Sequence, residues 1–298
     1  MGGETILVTG AAGFTGHHFI AAATAAGYRC VALCRHAGER VPGASDNLHC
    51  DLLDAAALPA AVRRANPAMV VHLAAISFVA HAGSTEPYEV NLLGTLNLLD
   101  ALADAATGLR KVLIASSANI YGNASELPID EQTPVQPVNH YGVSKYAMEL
   151  AAGLYRQLPL VIARPFNYTG AGQPGNFLVP KLVAAFKARR QRVELGNLDV
   201  ARDYSDVRDV VRAYLGLLAE PGSAGVYNVC SGRATSLLSI VAMLNELAGY
   251  EIEVQSRAEL VRAEEIRCLY GSGRRLQEAI GEYRQFALRD TLSWMLGS

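Results

Sequence analysis

The sequence predicts an α/β fold, a doubly wound parallel sheet joined to a smaller C-terminal lobe. Three observations predict it. Short apolar runs recur at Thr5–Val8, Tyr28–Leu33, Ala68–Ala75 and Lys111–Ala115, as strands buried on both faces do. Helical patterns alternate with them, which argues for parallel strands with crossover helices. Hydrophobic residues make up 51% of the 298-residue chain and aromatics only 7%, a composition that suits helices packed on a buried sheet.

With 26 basic and 28 acidic residues the formal charge is −2. No field of that size favours nucleic acid as a partner. Acidic or basic runs of the kind that mark tails are missing. The five cysteines, Cys30, Cys34, Cys50, Cys230 and Cys268, lack C-x-x-C spacing. They are expected as reduced thiols in a cytoplasmic protein, and no metal site is expected. The chain enters a strand at Thr5, which leaves no room for a signal peptide. Met69–Ala80, the most apolar stretch, is too short and too polar to span a bilayer.

The first strand runs into Gly10-Ala-Ala-Gly13-Phe-Thr-Gly16 and a helix over His17–Ala26. Glycines permit the tight turn and let the backbone approach a pyrophosphate at a helix N-terminus. Strand, turn and helix together predict a Rossmann-type dinucleotide site, although the spacing is G-x-x-G-x-x-G. Tyr28–Leu33 is the second strand. Where a ribose-binding acid would follow it stand Cys34, Arg35 and His36. An acid would accept from a ribose 2′-hydroxyl, whereas Arg35 can pair with a 2′-phosphate, so NADP(H) is the expected cofactor. Asn47–Asp51 reads as a third strand ending in an acid, and Asp54–Arg64 as a helix. Ala68–Ala75 is the fourth strand and Asn91–Ala105 a long apolar-faced helix.

Lys111–Ala115, the fifth strand, ends at Ser116-Ser117. A serine there points into the crevice where such sheets bind ligands. A polar loop, Glu126–Asn139, then leads to Tyr141-Gly-Val-Ser-Lys145 at the start of a helix. Tyrosine and lysine four residues apart share one helix face. An ammonium beside a phenol favours phenolate, so Lys145 is expected to lower the Tyr141 pKa. Such a tyrosine can exchange a proton with an oxygen on a carbon that exchanges hydride. Ser117 supplies the third hydrogen-bonding group. Leu160–Ala163 is the sixth strand, and after Arg164-Pro-Phe-Asn167 the regular alternation breaks. Helices at Phe177–Arg189 and Ser236–Ala248 and one running to Leu218 are expected beyond it. Strands are expected at Val193–Leu195, Val226–Cys230 and Glu251–Val254.

Several of these pieces stand in one order: Gly10/Gly13/Gly16, Asp51, His72-Leu-Ala-Ala75, Asn91, Ser117, Tyr141/Lys145, Arg164-Pro-Phe-Asn167 and Arg202-Asp-Tyr-x-Asp-Val. Together they resemble the extended short-chain dehydrogenase/reductase family, in its nucleotide-sugar branch. The stretches Asn91–Leu99, Ala163–Asn167 and Val226–Gly232 look like those of its GDP-4-keto-6-deoxyhexose reductases, which form GDP-D-rhamnose. The resemblance implies that Tyr141 donates the proton, that Lys145 binds the nicotinamide ribose and tunes Tyr141, and that Ser117 bonds the substrate oxygen. For the cofactor it implies Gly10, Gly13, Phe14, Thr15, Gly16, Arg35, Asp51, Leu52, Leu73, Ala74, Ala75, Asn91 and Arg164. For the nucleotide sugar it implies Ser77, Asn119, Asn167, Val179, Lys181, Arg202, Arg262 and Glu265, with the arginines on the diphosphate. A homodimer through two helices per subunit is likewise implied. Residues 1–165, with about 200–232, would hold NADP(H). Residues 166–199 and 233–298 would form the substrate-binding lobe.

Two departures narrow the activity. Dehydratases of this branch carry an Asp-Glu pair after the catalytic serine position, where this chain has Ala118 and Asn119; elimination of water needs that acid and base. Epimerases usually hold NAD with the strand-end acid that Cys34 replaces. A 4-epimerase on the same scaffold remains the alternative reading. A catalytically silent dinucleotide sensor is disfavoured, because Ser117, Tyr141 and Lys145 are all present.

Overall fold

The computed structural model describes residues 3–77, 85–261, 266–283 and 285–298. Seven strands form the main sheet: β1 (Thr5–Thr9), β2 (Arg29–Cys34), β3 (Asp46–His49), β4 (Met69–His72), β5 (Lys111–Ala115), β6 (Leu160–Pro165) and β10 (Gly225–Val229). All pair in parallel, in the order β10-β6-β5-β4-β1-β2-β3. The order reverses between β1 and β4, which opens a crevice at the carboxyl ends of the strands.

Strand alternation decides which residues face which helices. Ile6 and Val8 of β1 face α1 (Phe14–Ala25) and α7 (Val207–Ala219). Leu7 faces the other layer, α2 (Leu58–Ala65), α4 (Gly94–Ala105) and α5 (His140–Ala152). A short α3 (Glu86–Tyr88) and a π-helical turn (Glu89–Leu93) precede α4. The long helix expected from Asn91 therefore begins with a widened turn, a feature that recurs at functional sites.

Four further strands build a smaller mixed sheet: β7 (Asn167–Thr169), β9 (Ala201–Asp206), β11 (Ala234–Ser236) and β13 (Cys268–Leu269), all arranged around β9. β8 (Arg192–Leu195) pairs with β12 (Glu253–Ser256) in a separate ribbon. Leu182 and Phe186 of α6 (Leu178–Lys187), Ile240 and Leu244 of α8 (Leu237–Ala248), and Leu292 of α10 (Leu288–Gly297) form the core beside them. α9 (Arg274–Ile280) returns to the main sheet, where Leu276 joins the α1/α7 core. β7, β9, β11, β13, α9 and α10 are absent from the sequence reading. Three of these six, β7, β11 and β13, are strands of two or three residues, too short to show a period of two.

The C-terminal helix is tied to the start of α7 by one arginine. Arg208 lies 3.7 Å from the Phe286 ring centre and 4.1 Å from that of Trp294, and pairs with Asp206 at 2.6 Å. Asp206 also accepts from the Thr291 hydroxyl at 2.7 Å. Two aromatic faces around a guanidinium exploit its planar, weakly hydrated charge. Among the described residues no helix is long and apolar enough to cross a membrane.

Candidate active site

At the end of β1 the chain turns through Gly10, whose φ is +64°; a Cβ there would lie 2.6 Å from the Ala74 backbone nitrogen. On Gly16 a Cβ would come within 2.4 Å of the Gly10 and Ala11 carbonyl oxygens. A side chain at either place would push backbone aside. Gly13 is the N-cap of α1 and no side chain caps that helix, so its first-turn N–H groups suit an anion.

Two cavities meet at this turn, and Gly10 and Gly13 line both. The smaller, about 250 Å³, reaches the ends of β2 and β3 and is lined by Arg35, His36, Glu39, Asp51, Leu52 and Ala74 among others. The larger, about 610 Å³, passes Phe14, Thr15, Gly16, Leu73 and Ala75, then Ser77, Ser117, Asn119, Tyr141 and Lys145. It continues to Asn167 and Arg202 at the small sheet. A turn bare of side chains, an uncapped helix start and a cavity on either side fit a dinucleotide.

The Asn139 side chain accepts from the Gly142 N–H at 2.8 Å and starts α5, which places Tyr141 in its first turn. Lys145 follows one turn later, and its ammonium donates to the Ala115 carbonyl at 2.7 Å. Ser117 caps the turn that leaves β5. Its Oγ accepts from the Asn119 backbone N–H and side-chain Nδ2, both at 3.2 Å. Those donors occupy both lone pairs of the hydroxyl, and its one proton is left to favour the Tyr141 phenolate. Tyr141 keeps its own proton to give to a ligand.

Four expected site residues do not line either cavity. Asn91 is fully buried behind the wall. Its Oδ1 accepts from the Ile76 N–H at 2.8 Å and its Nδ2 donates to Ser144 Oγ at 3.0 Å, so it braces the cavity wall from behind. Arg164 is buried under α5, paired with Glu149 at 2.6 Å; β6 alternation turns it away from the crevice. Val179 is buried in the small-lobe core, and Lys181 donates to the Glu194 carbonyl at 2.8 Å. Arg262 and Glu265 lie outside the described residues. Cavity residues that the sequence reading missed include Glu39, Tyr168, Gln173 and Asn176. Glu39 stands four positions past Arg35, beyond the strand end where a ribose-binding acid is expected. Gln173 and Asn176 sit in a Gly/Pro-rich loop whose amides were a visible signal. Tyr168 holds the turn, its hydroxyl 2.8 Å from that of Thr15 and its ring stacked on Phe14.

The NAD dependent epimerase/dehydratase family matches residues 6–230 of this chain. The chain is 36% identical to GDP-6-deoxy-D-mannose reductase of Pseudomonas aeruginosa, over 98% of its own length and 96% of the relative's. It is 34% identical to GDP-6-deoxy-D-talose 4-dehydrogenase of Aggregatibacter actinomycetemcomitans, over 97% and 96%. The structure of RMD from P. aeruginosa, complexed with NADPH, superposes with a TM-score of 0.84 at 33% identity, covering 100% of this chain and 98% of that one.

Burial governs the charges in the cleft. It pushes the Tyr141 phenol up to about 12; the Ser117 hydrogen bond pulls it down and Tyr168 adds to the rise. Lys145 is not among the groups that move Tyr141, so the expected lowering is absent from this arrangement, in which the ammonium bonds to Ala115. Burial also takes the Lys145 ammonium down to about 8 from 10.5, against the pull of Glu149. The unfolded chain thus holds this proton more tightly than the folded one. The resulting penalty to stability is full below pH 8 and is relieved as pH rises toward 10.5. Lys145→Met should remove that slope: its stability advantage over wild type, by urea denaturation, should shrink steadily from pH 8 to pH 10. An advantage that does not change with pH would contradict this charge assignment.

Proposed function

The chain belongs to the NAD dependent epimerase/dehydratase family and is a nucleotide-sugar oxidoreductase, and within it we propose NADPH-dependent reduction of the 4-keto group of a GDP-4-keto-6-deoxyhexose. The product is GDP-D-rhamnose or its 4-epimer. One observation carries the reading. Tyr141, with Ser117 bonded to it and Lys145 a turn away, lines a cavity that continues from the glycine turn to Asn167 and Arg202. The two relatives are named for sugars that differ at C4, the carbon to be reduced.

When bound, the reduced nicotinamide supplies hydride to C4. Gly10, Gly13, Gly16 and the start of α1 hold the diphosphate. Tyr141 donates to the carbonyl oxygen and delivers its proton as charge develops there. Its high pKa keeps that proton in place at neutral pH. The Ser117 hydroxyl supports the phenolate left behind, and Lys145 adds a nearby positive charge once ligand is bound. Asn167 and Arg202 meet the sugar diphosphate, with residues 166–199 and 233–298 as the substrate lobe and 1–165 plus about 200–232 as the dinucleotide part. The proposal includes Arg35 as the 2′-phosphate partner. Arg35 now pairs with Asp51 at 3.2 Å, with side chains 60% and 38% exposed. Such a pair is weak and yields readily to a doubly charged phosphate. The NADPH complex of RMD supports the same choice for that protein.

A 4-epimerase is the second reading. Glu39 favours it, because an acid lining the smaller cavity can accept from a ribose 2′-hydroxyl. Placement in the cytoplasm and a homodimer complete the proposal. Leu150 of α5 and Leu154 just beyond it are 60% and 80% exposed, and Leu93 before α4 is 49% exposed. Large apolar side chains so arranged suit a second copy of the same face.

With the keto sugar, NADPH absorbance should bleach one-to-one with deoxyhexose formed. Tyr141→Phe should lower turnover roughly a hundredfold or more while cofactor still binds. Product without net NADPH loss would establish the epimerase, and a Tyr141→Phe variant at full rate would remove this mechanism. Wild type should bind NADPH more tightly than NADH, with the preference lost in Arg35→Ala; equal preference in both proteins would refute the Arg35 role. Sedimentation at micromolar concentration should give about twice the chain mass, and a single monomer species would count against the dimer.

A further inference from the structure

We propose that Glu149, clamped by Arg164, is a positioning residue for Lys145: its buried carboxylate keeps the Lys145 ammonium charged and in place beside Tyr141. The inference rests on the reading of Tyr141 and Lys145 as the pair that handles the proton.

The geometry begins on α5. Glu149 lies one turn beyond Lys145 on the same helix face, and the two are 7% and 2% exposed. Arg164 reaches Glu149 from β6 with three contacts: Nε at 3.0 and 3.2 Å from the two carboxylate oxygens, and Nη2 at 2.6 Å from Oε2. The remaining arm of the guanidinium, Nη1, donates to the Tyr121 hydroxyl at 2.8 Å. Tyr121 in turn donates to Asn228 Oδ1 at 2.8 Å. Tyr121 closes the turn that starts at Ser117, so the clamp joins the element that carries Ser117 to the one that carries Tyr141 and Lys145.

The groups facing Lys145 give Glu149 a second role. His72 faces it from β4 and is neutral, pushed down to about 3 by burial and by the ammonium itself. From β5 comes only the Ala115 carbonyl. Tyr141 and Glu149 lie on its own helix. Behind Glu149 stand Arg164, Tyr121 and, bonded to the Asn228 N–H, Glu131. Of all these, Glu149 supplies the charge that favours the ammonium, against a larger opposing cost of burial. Its carboxylate makes no hydrogen bond with Lys145 and is held by Arg164. It therefore acts through its field, which burial leaves poorly screened.

A buried guanidinium needs a counter-charge, so Glu149→Gln strands Arg164 and risks the fold. The double variant Glu149→Gln/Arg164→Gln removes both charges and leaves two amides that can bond to each other. The double variant reads the net field of the Glu149–Arg164 pair at Lys145, and Glu149→Gln reads the carboxylate alone. The chain has only four lysines, Lys111, Lys145, Lys181 and Lys187, which makes NMR of lysine labelled at Cε tractable, with Lys145→Met to assign the signal. The Lys145 titration midpoint should fall by about one pH unit in the folded variant. The alkaline limb of kcat/KM should move down with it, and Glu149→Asp should restore part of both. A midpoint that stays at the wild-type value overturns the proposal, as does a shifted midpoint with an unmoved alkaline limb. If wild type shows no turnover, the reaction reading falls, and the NMR titration still decides the charge role of Glu149.

Discussion

One chain of buried hydrogen bonds joins the wall beside the glycine turn to the helix that carries Tyr141 and Lys145. The Ala74 N–H donates to Thr9 Oγ1 at 3.3 Å, and Thr9 donates to His72 Nδ1 at 2.7 Å. His72 Nε2 meets Thr95 Oγ1 at 2.8 Å, and Thr95 donates to the Asn91 carbonyl at 2.7 Å. The single Thr95 proton is committed to Asn91, so Nε2 must carry the imidazole proton and Nδ1 must accept from Thr9. Asn91 Nδ2 then donates to Ser144, and Ser144 to the Tyr141 carbonyl at 2.8 Å. Each link has one donor and one acceptor when His72 is neutral and its Nδ1 accepts from Thr9. Burial keeps it neutral far below physiological pH. The parallel β1–β4 ladder already sets Thr9 opposite His72, and this side-chain contact reinforces it beside the glycine turn.

The same chain explains what could be read in the sequence and what could not. Gly10 and Gly16 were legible because backbone clash admits no other residue there. Tyr141 and Lys145 were legible because helix geometry fixes which spacings share a face. Asn91 was expected at the cofactor, and the structure sets it behind the cavity wall. It sits in a π-helical turn, and nothing in the spacing of its neighbours shows that the turn is widened. Arg164 was misplaced for a different reason. Val161 and Ala163 face the α1/α7 core, so alternation alone puts Arg164 on the α5 face. The family resemblance implied a place at the cofactor instead.

The small lobe was less legible because its elements are held by neighbours and carry little pattern of their own. β9 reads ARDYSD, with charged or polar residues at four of its positions. Asp203 is fully buried nonetheless, because the Ser231 and Gly232 N–H groups bond its two oxygens at 2.7 and 2.8 Å. That pairing joins the end of β10 to the small sheet, across residues far apart in sequence. A hydrophobic period cannot report a strand whose buried positions are satisfied aspartates and serines.

Desolvation also sorts the titratable groups of the cleft into roles. His72 is driven to its neutral form and Tyr141 to its protonated form, each well away from neutral pH. Lys145 alone of the three is brought close to it. A proton donor that must not ionise early benefits from a dry site, and a cation that must stay charged is harmed by one. The two needs conflict because Tyr141 and Lys145 share one helix face. Opening the site to water would relieve Lys145 but would also bring the phenol back toward 10 and weaken every hydrogen bond to the reacting oxygen. An anion placed behind the lysine, on the side away from the cavity, resolves the conflict without admitting water. Glu149 occupies that position, and its own burial is tolerable only because Arg164 neutralises it. The buried pair that lines neither cavity is thus the one that lets the rest of the cluster remain dry.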